Sequence, residues 1–504
     1  MTNHLFGQFR AAMAGTERVL LQTADGPALT WGGMLEVSGR IANLLVAEGI
    51  QPGDRVAAQV EKSIEGLLLY LACVRAGAVF LPLNPAYTDV ELDYFIKDSE
   101  PRLVVVDPSR VAGVVGIAYG VEATLLTLGA DGQGSLMAGA AEQDPAFEDV
   151  ACGPDDLAAI LYTSGTTGRS KGAMLSHENL ASNARVLVDV WRFTDQDVLI
   201  HALPIFHTHG LFVATNTVLS AGASMIFLPR FEPKLVLAMM ERASVLMGVP
   251  TFYVRLLNEA GLIQETVRHM RLFVSGSAPL LAETHRAFQE RTGHAILERY
   301  GMTETNMNTS NPYDGPRLAG TVGLPLPGTE LRVVDPESGQ ELPAGSIGMI
   351  EVRGPNVFQG YWRMPEKTQA EFRDDGFFVT GDLGLFDEQG YVQIVGRGKD
   401  LVITGGYNVY PKEVEEELDR LDGVVESAVI GVPHPDMGEG VVAVLAVRPD
   451  HRLNEPEVQA ALAARLARYK LPRRVLFVDE LPRNAMSKVQ KNILRERYAA
   501  TFAT

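Results

Sequence analysis

A stretch rich in glycine, hydroxyl and cationic side chains is the part of this sequence best suited to hold phosphate groups. It spans 162–172 with the letters YTSGTTGRSKG and follows the apolar run LAAIL at 157–161, which predicts a strand. Backbone N–H groups, hydroxyls and cations of such a loop can bind phosphate oxygens. A Walker A loop is excluded, because there Ser or Thr follows the lysine directly. The candidate phosphate-binding residues are Thr163, Ser164, Gly165, Thr166, Thr167, Gly168 and Lys171.

Two carboxylates, Glu304 and Asp382, are candidates for binding a nucleotide or its metal ion. Glu304 lies among hydroxyls in TETN at 303–306, surroundings that suit a hard cation such as Mg²⁺, although a glutamate in a polar loop is more often simply solvated. Asp382 follows a Thr-Gly pair at a predicted strand end, where a carboxylate can accept hydrogen bonds from both ribose hydroxyls. An Asx-turn cap is the commoner use of Gly-Asp.

Alternating strands and helices must position these residues, and the pattern predicts an α/β fold with largely buried strands. Short β-branched runs indicate strands at 103–106, 157–162, 224–228, 271–275, 425–432 and 441–447. Segments with helical spacing lie at 35–46, 235–243 and 457–467.

A chain of 504 residues is too long for one ordinary core, so at least two domains are expected. The boundary between them is predicted near GRGKD at 396–400. After it come a glycine turn and a helix that opens at Pro411 with acids in its first turns. The predicted division is an N-terminal domain over 1–397 and a C-terminal domain over 398–504. The glycines at the junction suit a hinge or a plain linker equally well.

The composition argues against some classes of function for this protein. A net charge of -18 argues against a nucleic-acid partner, which needs a basic face. The longest apolar stretch, around 66–83, is interrupted by Arg75 and predicts a helix followed by a buried strand, not a membrane span. Two isolated cysteines, Cys73 and Cys152, indicate buried free thiols in a reducing compartment, and with no evident secretory signal the cytoplasm is the expected location.

Together with the phosphate loop, five further motifs in order resemble those of the acyl-adenylate-forming superfamily: acyl- and aryl-CoA synthetases, firefly luciferase and the adenylation domains of peptide synthetases. They are HTHG at 207–210, YGMTET at 300–305, TGD at 380–382, GRGKD at 396–400 and PRNAMSK at 482–488. With their flanks they cover nearly the whole chain. The resemblance implies a large N-terminal domain of α/β layers with a β-barrel-like subdomain, and a small mobile C-terminal α/β domain.

The resemblance also implies the chemistry. A carboxylic acid, ATP and Mg²⁺ would give an acyl-adenylate and pyrophosphate, and the acyl group would pass to coenzyme A with release of AMP. The catalytic candidates are then Lys488, Thr303 and His207, and Glu304 is the expected ligand of Mg²⁺. The remaining nucleotide-binding candidates are Ser277, Ala278, Pro279, Glu298, Arg299, Tyr300, Gly301, Met302, Asp382 and Arg397.

In this family the C-terminal domain swings between two poses, one for each half-reaction. Lys399 occupies the pivot position, and Gly405, Gly406 and Tyr407 are expected to line the coenzyme A channel. Acetylation of Lys488 would delete the charge that adenylation needs, so a lysine acetyltransferase and deacetylase are conceivable partners.

The fuller strings around these motifs, such as HALPIFHTHGLF at 201–212, resemble the malonate-activating members of the superfamily. A small polar acyl pocket is expected around Ser275, Thr208 and Met307. The last two match residues near the C2 substituent, so their bulk should limit branching there, and the resemblance makes methylmalonate a further candidate substrate. Arg286, on a predicted helix after Pro279, could bind the distal carboxylate with its planar fork, although a solvated helix arginine is the commoner case. A synthetase for a medium-chain or aryl monocarboxylate, loading of a carrier-protein thiol, and a non-catalytic nucleotide-binding module are the alternatives.

Overall fold

A computed structural model describes residues 2–24, 26, 28–163, 170–404, 407–463, 465–466, 468–484 and 488–503. Its strands are β1 (Val19–Gln22), β2 (Ala28–Thr30), β3 (Arg55–Gln59), β4 (Val79–Pro82), β5 (Leu103–Val106), β6 (Thr124–Thr127), β7 (Leu157–Thr163), β8 (Lys171–Ser176), β9 (Val198–His201), β10 (Ser224–Phe227), β11 (Val245–Gly248), β12 (Leu272–Ser275), β13 (Leu297–Met302), β14 (Asn306–Ser310), β15 (Leu324–Pro325), β16 (Glu330–Val334), β17 (Gly348–Arg353), β18 (Gly360–Tyr361), β19 (Phe378–Phe386), β20 (Val392–Arg397), β21 (Val402–Thr404), β22 (Tyr407–Val409), β23 (Val424–His434), β24 (Gly438–Val447) and β25 (Arg474–Val478).

The helices are α1 (His4–Ala12), α2 (Trp31–Ala47), α3 (Ile64–Ala76), α4 (Asp89–Ser99), α5 (Val111–Gly120), α6 (Ser135–Ala141), α7 (His177–Val190), α8 (Asn216–Ala221), α9 (Pro233–Met239), α10 (Pro250–Leu257), α11 (Ala282–Thr292), α12 (Pro365–Glu371), α13 (Pro411–Asp419), α14 (Glu455–Ala463) and α15 (Lys491–Tyr498). A π-helical segment, His209–Thr215, leads into α8. Among the described residues, no helix has both the length and the apolar character that crossing a bilayer requires.

The chain forms two compact units. The larger unit comprises Met1–Leu331 and Val352–Phe378, and the smaller one Arg332–Glu351 and Val379–Thr504. The predicted α/β fold, with a large N-terminal and a small C-terminal part, is therefore confirmed. The predicted boundary between 397 and 398 falls inside the smaller unit. The start of a mobile C-terminal domain at residue 398 stays a prediction, because compact units reflect packing and not motion.

Two sheets organise the larger unit. In the described residues the first runs β15-β14-β13-β12-β11-β9-β10-β1-β2, and the second runs β18-β8-β7-β4-β3-β5-β6. The strands from β13 to β1 in the first sheet, and from β7 to β6 in the second, are parallel. Parallel strands place their carboxyl ends along one edge, where loops can carry binding residues. The segments after β9, β12 and β13, which hold several predicted site residues, therefore meet at one edge of the first sheet.

Helix α3 illustrates how local sequence sets an element. The Ser63 hydroxyl caps its first turn by accepting a hydrogen bond from the Gly66 N–H at 3.0 Å, and Gly77, with φ of 72°, ends it in the left-handed conformation. Arg75 is buried near its end and binds Asp149 Oδ1 at 2.6 Å. The apolar stretch at 66–83 is thus a buried helix followed by β4, as predicted.

The smaller unit contains most of a four-stranded sheet in the order β16-β17-β19-β20. A β-barrel-like subdomain stays a prediction. It also contains a second sheet in the order β22-β21-β24-β23, with β25 paired to β24. Helix α13 begins at Pro411, the position that the sequence predicts, and packs its apolar face, including Val414 and Leu418, into the core of this unit.

Candidate functional site

The predicted phosphate loop connects the two strands of a hairpin. Strand β7 ends at Thr163, which is paired in register with Lys171 at the start of the antiparallel strand β8. The candidates Ser164, Gly165, Thr166, Thr167 and Gly168 lie outside the described residues. The structure therefore places the two ends of the loop side by side at the carboxyl end of a parallel strand, where helix and loop N–H groups commonly meet phosphates.

The ammonium group of Lys171 lies against two residues that the sequence analysis did not single out. Its Nζ is 3.2 Å from Glu371 Oε1 and 4.0 Å from the centre of the Tyr361 ring. The Tyr361 hydroxyl is 2.7 Å from Glu371 Oε2 and 3.1 Å from Oε1 of the buried Glu304. The structure thus brings the predicted phosphate-binding lysine and the predicted metal-binding glutamate to one cluster.

A second cluster forms where β12 and β13 end. The Ser277 hydroxyl lies 3.2 Å from His209 Nδ1, and Ser277 adopts a φ of 70°, which turns the chain sharply after the strand. A Cβ atom on Gly276 would lie 2.4 Å from Cζ of Arg299, so only glycine allows the guanidinium to pack against the backbone here. Arg299 is buried, with 2% of its surface exposed.

The electrostatics of this cluster follow from burial. Loss of solvent lowers the pKa of the Arg299 guanidinium to about 9, although the charges of Tyr253 and Glu298 act in the opposite direction. Burial also lowers the pKa of His209, and the positive charge of Arg299 adds to this effect, so His209 is neutral. The cluster therefore carries one positive charge in an environment of low polarity.

Several buried polar atoms in this region have no hydrogen-bond partner within the described ranges. They are Thr208 Oγ1, His209 Nε2, Ser275 Oγ, and Nε and Nη2 of Arg299. Unsatisfied buried polar groups are costly, so a concentration of them next to a buried cation indicates a place where a polar, anionic ligand binds.

Arg286 lies on the exposed side of α11, whereas Thr284, His285 and Phe288 form the buried side of that helix. Its predicted contact with the distal carboxylate stays a prediction. Arg299, which the sequence analysis grouped with the nucleotide-binding residues, is the buried guanidinium at the strand ends. A charged pair at the end of an otherwise apolar strand, Glu298 and Arg299 after AIL at 295–297, is the sequence signal that could have identified it.

The other candidates of the larger unit frame these two clusters. Glu298 Oε1 accepts a hydrogen bond from the Leu280 N–H at 3.0 Å and so ties the segment with Ala278 and Pro279 to β13. Tyr300, Gly301 and Met302 complete β13, and Thr303 lies half-buried in the turn that follows. His207 is half-buried and its Nδ1 accepts from the His209 N–H at 3.3 Å.

Met307 is buried on β14, and a side chain of α7 fixes its backbone. The Asn183 amide donates to the Met307 carbonyl at 2.9 Å and accepts from the Met307 N–H at 3.2 Å. Thr208 is buried directly before the π-helical segment. Both side chains are thus buried, and the backbone of Met307 is fixed by Asn183.

In the smaller unit, Asp382 and Arg397 are cross-strand neighbours. They pair in register between β19 and β20, and Arg397 Nε donates to Asp382 Oδ1 at 2.7 Å. Asp382 is buried while Arg397 is partly exposed, so the pair presents hydrogen-bonding groups at the surface of its sheet. The predicted ribose-binding residues are therefore adjacent.

The hinge and tail candidates also lie in the smaller unit. Burial lowers the pKa of Lys399, and its neighbour Asp400 forms an ion pair with Arg495 on α15. Gly405 and Gly406 lie outside the described residues, and Tyr407 begins β22. Lys488 is exposed, its N–H donating to Asn484 Oδ1 at 3.0 Å and its carbonyl accepting from the Asn484 N–H at 3.0 Å.

Comparison with known proteins places this site in a family. Residues 9–362 match the AMP-binding enzyme family, and residues 413–488 match the AMP-binding enzyme C-terminal domain. The chain belongs to the AMP-binding enzyme family. The resemblance stated from the sequence motifs is thereby confirmed.

Three relatives of this AMP-binding enzyme are informative. A feruloyl-CoA synthase of an Amycolatopsis species is 38% identical over 479 residues, which are 94% of either chain. A malonate–CoA ligase of Arabidopsis thaliana is 33% identical over 555 residues, covering 98% of this chain and 90% of the relative. The crystal structure of ATP-bound MatB from Rhodopseudomonas palustris is 63% identical, with a TM-score of 0.98 and 100% of both chains covered.

Replacement of Gly276 tests the packing of the second cluster. Because the added Cβ of Gly276→Ala would overlap the guanidinium, we expect Arg299 to shift by about 1 Å and kcat/KM for the acid substrate to fall about 100-fold. The KM for ATP is expected to stay unchanged. Pyrophosphate release at varied acid and varied ATP measures both, and an unchanged kcat/KM for the acid would separate Arg299 from substrate binding.

Proposed function

We propose that this AMP-binding enzyme is a malonate–CoA ligase. Malonate attacks the α-phosphorus of ATP through one carboxylate oxygen, which forms malonyl-AMP and releases pyrophosphate. The coenzyme A thiol then attacks the malonyl carbonyl carbon, and AMP leaves as malonyl-CoA forms. The observation that carries this choice of acid is the buried guanidinium of Arg299, which offers an anionic group a partner next to Ser277 and His209.

The charge of the substrate decides between the candidate acids. Malonate keeps a second carboxylate after one carboxylate has reacted, and a planar guanidinium can bind both of its oxygens. Such a pair would satisfy the buried nitrogen atoms of Arg299, whereas a neutral acyl group would leave Nε and Nη2 of this desolvated cation without acceptors. The Arabidopsis malonate–CoA ligase supports the same choice at 33% identity over 98% of the chain.

An aryl monocarboxylate is the strongest alternative, since the feruloyl-CoA synthase is the more identical of the two curated relatives named above. A ferulate side chain has no second carboxylate, so it does not match the buried cation. Thr208 and Met307, both buried, would limit the C2 substituent, and methylmalonate is the larger acid that we propose as a second substrate. Loading of a carrier protein needs the same adenylation chemistry and differs only in the accepting thiol.

On the nucleotide side, the loop from Thr163 to Lys171 would hold the phosphates. Mg²⁺ typically binds one or two carboxylates together with substrate phosphates, and Glu304, buried beside the Lys171 cluster, fits that requirement. The ion would neutralise charge on the phosphates. Thr303 and Lys488 are proposed to contact the reacting α-phosphate group, His207 to border the acyl site, and Asp382 with Arg397 to bind the ribose.

We also propose a cytoplasmic location, supported by the two cysteines, which are both buried free thiols. Acetylation of Lys488 remains a proposal too. The exposure of this residue in the smaller unit supports it, because a modifying enzyme needs access to the side chain.

The choice of acid is tested by pyrophosphate release with ATP, Mg²⁺ and a panel of malonate, methylmalonate, sulfoacetate, propionate and ferulate, with and without coenzyme A. We expect kcat/KM for malonate to exceed that for propionate at least about 30-fold, because removal of one buried charged partner costs about 2–5 kcal/mol or more. Mass spectrometry of the coenzyme A product confirms the acyl group. Higher activity with ferulate would replace malonate by an aryl acid.

Arg299 and Arg286 provide a matched pair of variants. We expect Arg299→Ala to lower kcat/KM for malonate by about 100- to 1000-fold, because the distal carboxylate loses a buried ionic partner, with the KM for ATP unchanged. Arg286→Ala, which removes an exposed arginine, should leave both values unchanged. The reverse result would assign the distal carboxylate to Arg286, as the sequence analysis proposed.

Lys488 should serve only the first half-reaction. We expect Lys488→Ala to lower the rate of malonyl-AMP formation by about 100- to 1000-fold, because a positioned charge that stabilises the carboxylate and α-phosphate as pyrophosphate leaves is lost. Thioester formation from supplied malonyl-AMP and coenzyme A should keep its rate. Single-turnover assays of the two halves measure this, and equal losses in both would contradict the assignment.

A further inference from the structure

The partners of Lys171 suggest a role for a residue outside the family motifs. Glu371, the last residue of α12, lies 3.2 Å from Lys171 Nζ through Oε1. The same oxygen accepts from Lys367 Nζ at 2.7 Å, one helical turn earlier on α12. The side chains of Lys171 and Glu371 are 17% and 20% exposed, so the pair is largely shielded from water.

Tyr361 completes the surroundings of this pair. Its ring face lies beneath the Lys171 ammonium at 4.0 Å, a cation–π arrangement, and its hydroxyl reaches Glu371 Oε2 at 2.7 Å. Burial and the neighbouring carboxylates of Glu304 and Glu371 raise the pKa of Tyr361, so the hydroxyl keeps its proton. Both oxygens of Glu371 are therefore engaged, Oε2 by the Tyr361 hydroxyl and Oε1 by the ammonium groups of Lys367 and Lys171.

This arrangement restricts the direction of the Lys171 charge. An ammonium group has three N–H donors on a flexible four-carbon chain, and its ordering costs up to about 2 kcal/mol of side-chain entropy. Glu371 occupies one donor and the Tyr361 ring lies against another side of the group. At least one N–H donor of Lys171 is then left for an acceptor beside the adjoining loop. Because the Lys171 side chain is already ordered, it loses less side-chain entropy when that acceptor binds.

We propose that Glu371 is a positioning residue for ATP, which aligns the Lys171 ammonium so that it binds a phosphate oxygen of the nucleotide. The inference rests on the proposed function only in that the chain uses ATP, and it does not depend on the identity of the acid. Glu371 touches neither phosphate nor acid, and it acts through Lys171. Tyr361 supports it by holding Glu371 and by contacting Lys171.

Direct binding of MgATP, measured by isothermal titration calorimetry without acid or coenzyme A, tests this proposal. Glu371→Met keeps the bulk of the side chain and removes the carboxylate, and we expect it to raise the Kd for ATP about tenfold, the effect of one lost charge-assisted hydrogen bond. Glu371→Gln keeps an acceptor oxygen and should stay within about threefold of the wild type. The control is Glu366→Gln, an exposed position on α12, which should leave the Kd unchanged.

A double-mutant cycle with Lys171→Ala distinguishes positioning from a structural role. If Glu371 acts through Lys171, then Glu371→Met should have no further effect on the Kd in the Lys171→Ala background. An equal loss in both backgrounds would overturn the proposal. A lower Kd in Glu371→Met would also overturn it, because the carboxylate would then compete with ATP for Lys171.

Tyr361→Phe gives an independent test should Glu371→Met fail to fold. The phenylalanine keeps the ring beneath Lys171 and removes the hydroxyl that contacts both Glu371 and Glu304, so we expect the Kd for ATP to rise about threefold. An unchanged Kd would contradict the proposed chain of contacts. Normal ATP binding together with an absence of pyrophosphate release on any acid would refute the proposed function and leave this inference in place.

Discussion

Burial of the Arg299 guanidinium against the backbone of Gly276 is the constraint on which the proposed acid-binding region depends. A side chain at residue 276 would displace the guanidinium, and the chain turns directly afterwards at Ser277, which has a positive φ. That turn places the Ser277 hydroxyl beside His209. The buried cation thus packs directly against Gly276, and its charge adds to the effect of burial, which lowers the pKa of His209.

The two clusters of the larger unit differ in how their charges are balanced. Lys171 is paired with a carboxylate of the chain itself, whereas two nitrogen atoms of Arg299 have no acceptor in the part of the chain that the structure describes. A self-paired cation can stay ordered in the free protein, while one that relies on a ligand makes binding strongly dependent on the charge of that ligand. The Lys171 cluster would therefore be ordered before a ligand binds, whereas the Arg299 cluster would discriminate between ligands by their charge.

Much of the fold could be predicted because local patterns determine it. The β-branched run at 103–106 coincides with β5, and the predicted strand at 157–162 is one residue shorter than β7. Both strands are buried and bounded by turns, so hydrophobicity alone outlines them. The separation of 332–351 from its sequence neighbours was not predictable in this way. It follows from strand pairing between residues far apart in the chain, which no local pattern records.

The site was predicted in part for the same reason. Motif residues such as Asp382 and Arg397, both predicted to bind the ribose, are cross-strand neighbours because their strands are adjacent. The role of Arg286 stays a prediction, since spacing places Arg286 and Arg299 near the strand ends but does not reveal that Arg286 lies on the exposed side of α11. Glu371 and Tyr361 carry no motif, and only tertiary packing brings them to Lys171.

The antiparallel hairpin of β7 and β8 has a consequence for how the phosphate loop can vary. Thr163 and Lys171 are fixed as partners in the ladder, and in a strand a shift by one residue turns every side chain to the opposite face. An insertion or deletion would therefore move the buried Ala173 and Leu175 out of the core unless the loop absorbed it entirely. Natural variation in this segment should exchange residue types while conserving loop length.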